Sequence, residues 1–244
     1  MIDHGAGRDD RAMTDAATRP LDAVLLAGGR ATRLDGASKP EQTVGERTLL
    51  DLAIDAARRA GARSIVVVGP SSLHAPGCLV VREDPPFGGP VAAIAAGLAV
   101  LAAPRRSRSE ASRDQRTPHD PDADADVLVL ACDLPQATAA VERLLDGRGQ
   151  HDTADGVCLV DADGRTQWLT AIYARAALDR AFAVLDRGPD GAAMRHLFDG
   201  LDRTEIADDG TAEDVDTWAD LDRARERADI RSSESLRTDP RSTP

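Results

Sequence analysis

Leu21-Asp22-Ala23-Val24-Leu25-Leu26-Ala27-Gly28-Gly29 reads as a short strand that runs straight into a glycine turn. An apolar run of this length, rich in Leu and Val, suits a strand buried on both faces of a parallel sheet. Arg30, Thr32, Arg33, Ser38 and Lys39 follow within one loop, so a backbone freed of Cβ atoms is succeeded by hydroxyls, guanidiniums and an amine. Successive N–H groups of a Gly-rich turn form a concave nest for phosphate oxygens, and nearby cations neutralise the remaining charge. The spacing matches neither the P-loop nor the three-glycine dinucleotide fingerprint. Lys39 is the only lysine among 30 Lys and Arg residues. Either a general bias to arginine left one lysine by chance, or an ammonium is needed where a planar guanidinium will not fit.

Outward from this stretch the pattern alternates. Thr48 is placed to cap a helix over 49–60, whose Leu49, Leu52, Ala53, Ala56 and Ala60 share one face before Gly61 stops it. Ser64-Ile65-Val66-Val67-Val68-Gly69 and Leu79-Val80-Val81 are further strands, the latter running into Arg82-Glu83-Asp84. Strand, helix, strand predicts a parallel sheet. Pro85-Pro86-Phe87-Gly88-Gly89-Pro90 then opens a very apolar helix over 91–102. Its entrance is either a second anion site at a helix N-terminus or a plain tight connection with proline in the first turn. Asp126-Val127-Leu128-Val129-Leu130-Ala131-Cys132-Asp133-Leu134-Pro135 is the strongest strand and ends in a carboxylate. Ligands of open α/β sheets sit outside the carboxyl ends of the strands, which places Asp133 at the same edge as Gly28-Gly29. Asp133 either holds magnesium against nucleotide phosphates or caps the following helix. Cys132 reads as a small buried residue, since no histidine partner is suggested.

The second half is looser. Gly156-Val157-Cys158-Leu159-Val160, a turn at Asp161-Ala162-Asp163-Gly164 and a strand over 167–173 make a hairpin, followed by helices over 176–185 and 191–198 and a short strand at Thr204-Glu205-Ile206. Trp168 reads either as core or as a stacking surface for a flat heterocycle. Asp216 either ligates a metal or caps a helix over 217–227.

A chain of 244 residues can bury one large core. The expected division is a disordered leader over 1–20, one domain over 21–228 with a disordered insertion at 104–126, and a disordered tail over 229–244; the insertion and both ends are polar and lack an apolar period. A formal net charge of −12 offers no broad surface to nucleic acid or to anionic membranes. No apolar run approaches a membrane span, the leader lacks a signal-peptide core, and the three cysteines suggest neither a disulfide framework nor a zinc site. A cytoplasmic location is expected.

Leu26-Ala27-Gly28-Gly29, then Arg33, then Lys39-Pro40, together with Gly89-Pro90 and Cys132-Asp133-Leu134-Pro135, resemble the signature of the nucleotidyltransferases similar to molybdenum cofactor guanylyltransferase. Asp35 stands where that family usually has glycine, and Ser38 where it often has aspartate. Gly164, Arg165, Gln167 and Trp168 resemble its Gly-x-x-Gln-x-Leu run, and Asp214-Val215-Asp216-Thr217 its closing segment. The resemblance implies a three-layer, Rossmann-like α/β fold with a mostly parallel sheet. It implies Mg2+-dependent transfer of GMP from GTP to molybdopterin with release of pyrophosphate. Arg33, Lys39 and Asp133 would be catalytic; Leu26, Ala27, Gly28, Gly29, Lys39, Asp84 and Asp133 would bind nucleotide; Asp133 and Asp216 would bind metal. Transient contact with molybdenum cofactor enzymes or their chaperones is also implied. Alternatives are cytidylyl transfer to molybdopterin, guanylyl transfer to a phosphorylated small acid, and a non-catalytic nucleotide-binding regulatory module. Asp84 can accept hydrogen bonds from the N1–H and amino group of guanine, a donor pair that cytosine lacks.

Overall fold

Strand β1 (Leu21–Leu26) is central to the computed structural model, which describes residues 19–29, 38–103 and 124–238. In chain order there follow the two-residue strands β2 (Thr43–Val44) and β3 (Arg47–Thr48), helix α1 (Leu49–Arg59), β4 (Ile65–Val68), β5 (Leu79–Val81), α2 (Gly89–Leu101) and β6 (Asp126–Ala131). The second half adds α3 (Ala137–Gln150), β7 (Gly156–Val160), β8 (Thr166–Ala174), α4 (Arg175–Ala183), α5 (Met194–Phe198), β9 (Arg203–Ala207) and α6 (Trp218–Thr238).

The seven strands outside the β2–β3 hairpin form one sheet in the order β5-β4-β1-β6-β8-β7-β9. β1 pairs in parallel with both β4 and β6, β4 with β5 and β7 with β9, while β8 runs antiparallel to both its neighbours. The mostly parallel α/β expectation is therefore met. Side chains that alternate along each strand feed two cores. Leu25, Leu128 and Leu130 meet Leu50, Ile54 and Leu144 of α1 and α3 on one face. Val24, Val66 and Val129 meet Ile94, Leu98, Leu178 and Phe198 of α2, α4 and α5 on the other. Helices on both faces make three layers. Gly97 is required by this packing, because a Cβ there would stand 2.5 Å from Val24 Cγ1. Thr48 caps α1 as expected, in a reciprocal box with Asp51.

Several boundaries differ from the sequence reading. The β2–β3 pair shows in the sequence only as a turn at Gly45, since two-residue strands are too short to show alternation. α5 begins at Met194 rather than 191. α6 runs on to Thr238, past the helix expected over 217–227, and Asp239-Pro240 beyond it disfavours helix; the rest of the expected tail, 239–244, lies outside the described residues. Of the expected leader and insertion, only Arg19, Pro20, Asp124, Ala125 and Asp126 fall among the described residues. Ala125 is buried, Asp126 opens β6, and the Asp126 amide donates to Pro20 O at 2.8 Å. β6 therefore begins within the stretch expected as an insertion.

Candidate active site

The chain leaves β1 towards β4 and β5 and returns to pair β6 on the other side of β1, so the loops after β1 and β6 flank the point where strand order reverses. Such a point is where open α/β sheets bind ligands. Leu26 pairs with Ala131, which brings Gly28-Gly29 and Asp133 to the same edge. Gly29 has φ +142°, and a Cβ there would meet nothing within 4 Å. The position asks for glycine through its backbone, and the space beside it is open to a ligand. A cleft of about 370 Å³ lies here, lined by Leu26, Gly28, Gly29, Glu83, Phe87 and Asp133 and by Gly89-Pro90 of α2. Gly88, the N-cap of α2, supplies no side-chain cap, and Gly89-Pro90 of the first turn of this 13-residue helix line the cleft.

Asp133 is not a helix cap. The N-cap of α3 is Gln136, without a side-chain hydrogen bond. Asp133 Oδ1 is buried and has no hydrogen-bond partner among the described residues, while Oδ2 stands 3.7 Å from Lys39 Nζ. Lys39 opens a single 3-10 turn, Lys39–Glu41, anchored by buried Pro40, and its ammonium also donates to Asp216 Oδ1. Val215 donates its amide to Asp133 O at 3.0 Å, which carries its flanking carboxylates, Asp214 and Asp216, to the same locality. Val215 is in turn fixed in a small core with Val44, Leu49 and Leu221, the task of the β2–β3 hairpin and α6. Burial pushes the Asp133 carboxyl up to about 6 against the pull of Lys39, with Asp214 and Asp216 adding to the rise. Burial and then Asp216 raise Asp214 as well.

Asp216 is not a cap either. Thr217 Oγ1 accepts from the Asp220 amide, and Asp220 Oδ2 accepts from the Thr217 amide. That capping box leaves the Asp216 carboxylate to Lys39. Among the described residues no three His, Cys, Asp or Glu side chains are grouped as a ready ligand set. Asp133, with an oxygen lacking a partner among the described residues, and Asp216 nevertheless fit magnesium, which is commonly held by one or two carboxylates with water and substrate phosphates.

Of the other predicted residues, Leu26, Gly28 and Gly29 line the cleft, whereas Ala27 is buried with its amide bonded to Val68 O. Arg33 lies outside the described residues. Asp84 is exposed and does not line the cleft; its neighbour Glu83, buried, does. A three-residue strand end gives no phase from which to tell the two apart. Cys132 is buried, and desolvation raises its thiol well above the usual range, which suits a structural residue. A second cleft of about 290 Å³ adjoins the first and is lined by Thr166, Gln167, Trp168, Met194, Asp214 and, again, Asp133. Trp168 serves both sequence readings in part: its ring packs edge-on to Phe198 at 5.7 Å, and it borders this cleft.

A family model described as the MobA-like NTP transferase domain matches residues 23–204. The chain belongs to this family. A molybdenum cofactor guanylyltransferase from Bradyrhizobium sp. (strain ORS 278) is 39% identical over 98 residues, which span 38% of this chain and 45% of that protein. Among solved structures, the homologue of Mycobacterium tuberculosis Rv0371c from Mycobacterium sp. strain JC1 has TM-score 0.59 at 20% identity, covering 87% of this chain and 98% of its own. Molybdopterin-guanine dinucleotide biosynthesis protein A from Archaeoglobus fulgidus has TM-score 0.57 at 17% identity, over 86% and 99% of the two chains. The 2-C-methyl-D-erythritol 4-phosphate cytidylyltransferase of Thermus thermophilus has TM-score 0.56 at 18% identity, over 86% and 99%. These structural likenesses concern the fold. The MobA-like fold so defined places its two clefts on either side of Asp133.

Proposed function

We propose that this MobA-like protein transfers GMP from GTP to molybdopterin and releases pyrophosphate. The observation that carries the reading is Asp133, which lines both clefts, one beside the glycine turn and the α2 N-terminus, the other beside the β7–β8 hairpin. A group that touches both a nucleotide and an acceptor stands where the new bond forms. The name of the Bradyrhizobium relative supports guanine and molybdopterin.

The glycine turn and the uncapped amides of α2 would bind the triphosphate, and Lys39, with Arg33, would spread the charge that grows on the leaving pyrophosphate. Asp133 and Asp216 would hold Mg2+, which when bound neutralises phosphate charge and polarises the α-phosphorus. An acceptor phosphate in the second cleft attacks in line, and pyrophosphate departs on the opposite side. Such a transfer needs positioning and electrostatic stabilisation, so no side chain has to act as base. In the free protein Lys39 neutralises part of the carboxylate cluster, and on this reading it would turn to the phosphates when nucleotide arrives.

Cytidylyl transfer is the second reading. It is favoured by the exposure of Asp84, the residue on which the sequence rests a guanine preference. Pyrophosphate release measured with each of the four NTPs, with and without Mg2+ and with molybdopterin as acceptor, tests both. GTP alone should support magnesium-dependent release; faster release from CTP would replace guanylyl by cytidylyl transfer, and binding without release from any NTP would leave a regulatory module. The same reading places the protein in the cytoplasm, handing product to molybdenum cofactor enzymes or their chaperones. No described helix is long and apolar enough to cross a membrane.

A further inference from the structure

Phe87 lines the cleft beside the glycine turn. It is 53% exposed and has φ +69°. A bulky side chain in the left-handed region is an outlier, and glycine would adopt it without strain. The chain nevertheless keeps an aromatic ring there and locks it. The Phe87 amide donates to Glu83 Oε1 at 3.0 Å, and the Arg82 guanidinium lies over the ring, 5.1 Å from its centroid. The ring shares its cleft with Leu26, Pro90, Ala93 and Leu169, an apolar lining next to the Gly28-Gly29 turn. A nucleotide whose phosphates lie on that turn and on the α2 amides has its base left to place against this lining.

We propose that Phe87 is the stacking platform for the nucleotide base, held in its strained conformation by Glu83 and backed by Arg82. The inference rests on the reading of this cleft as an NTP site and adds to it the residue that grips the base. Stacking on an aromatic ring does not depend on hydrogen-bond pattern, and a purine offers more ring surface than a pyrimidine. The platform therefore favours GTP and ATP over CTP and UTP, and leaves the choice between the two purines to polar groups such as Glu83.

Calorimetry on the full chain with GTP, ATP, CTP and inorganic tripolyphosphate separates base from phosphate. Phe87→Ala and Phe87→Gly should weaken GTP and ATP roughly tenfold, and CTP less, while Phe87→Tyr binds like the wild type. Tripolyphosphate should bind all variants equally. Phe87→Gly relieves the backbone and should melt no earlier than wild type. Unchanged GTP affinity in Phe87→Gly, or equal losses for GTP and tripolyphosphate, would overturn the platform while the NTP site stands. A wild-type protein that binds no NTP would overturn the site itself and the platform with it.

Discussion

Asp126 opens β6 and Asp133 stands two residues past its other end, and their surroundings could hardly differ more. At the N-terminal end, Asp126 is 7% exposed and meets Arg148, 8% exposed, in a fork of two bonds at 2.8 and 2.7 Å. Arg148 spends a further donor on Ala154 O at 2.7 Å, and the neighbouring β1 repeats the arrangement with Asp22 and Arg63 at 2.6 Å. Charge and geometry are both satisfied there. At the C-terminal end, Asp133 has an oxygen with no partner among the described residues, shares one lysine with Asp216, and has Asp214 near enough to raise it further. One end of the strand has its charge matched by an arginine fork; the other leaves a buried oxygen unmatched among the described residues. Buried charge with perturbed titration of this kind concentrates at functional sites.

This contrast can be broken at either end. Arg148→Met leaves Asp126 buried with only the more distant Arg19 at 3.8 Å, and should cost about 3–5 kcal/mol in a denaturant melt. Turnover per folded molecule should be unchanged; a large loss of turnover would mean that the two ends are not separable. Lys39→Arg should do the reverse, lowering turnover about 10²–10³-fold with little change in melting, because the bulkier planar guanidinium can pair with the carboxylates but would misplace the phosphates that a compact ammonium accommodates. Turnover near wild type would return the lone lysine to chance.

The pH dependence sharpens the comparison by sign. Asp133 in the folded, metal-free protein titrates at about 6, against 3.8 for the ordinary group. Folded protein then holds the proton that unfolded chain has released, so its contribution to stability is full below pH 3.8 and is lost as pH rises through about 6. The loss should be about 2–3 kcal/mol, and should be absent in Asp133→Asn. A paired carboxylate such as an ordinary acid in a salt bridge would behave oppositely. The smallest effect distinguishes the cap from the ligand at α6. Thr217→Ala should cost about 1 kcal/mol, while Asp216→Ala leaves helix stability unchanged. Equal losses would restore Asp216 as a cap.

What can be read from the sequence follows sequence distance. β1, β4 and β6 are continuous apolar runs, and each announces both itself and the edge at which it ends. The glycine turn and Asp133 follow from those runs, because a residue just past a buried parallel strand has one place to be. The Thr48 cap is equally local. The bond from Lys39 to Asp216 spans 177 residues, and nothing within either segment specifies it. That Asp216 is released from capping by Thr217 is decided by one residue of phase, as is the choice of Glu83 over Asp84. Phe87 reads in the sequence only as part of a connection, since exposure and a positive φ leave no mark on composition.

The most direct test of the account is Asp133→Asn, followed in parallel by pyrophosphate release from GTP and by denaturant melting at about pH 7.5, above the range in which the buried carboxyl titrates. Removing a buried charge that lacks a full partner should abolish magnesium-dependent release, by about 10³-fold or more, while the metal-free protein melts no earlier than wild type, or later. A variant that melts several kcal/mol earlier and keeps its turnover per folded molecule would contradict it, and would make Asp133 the structural counterpart of Asp126.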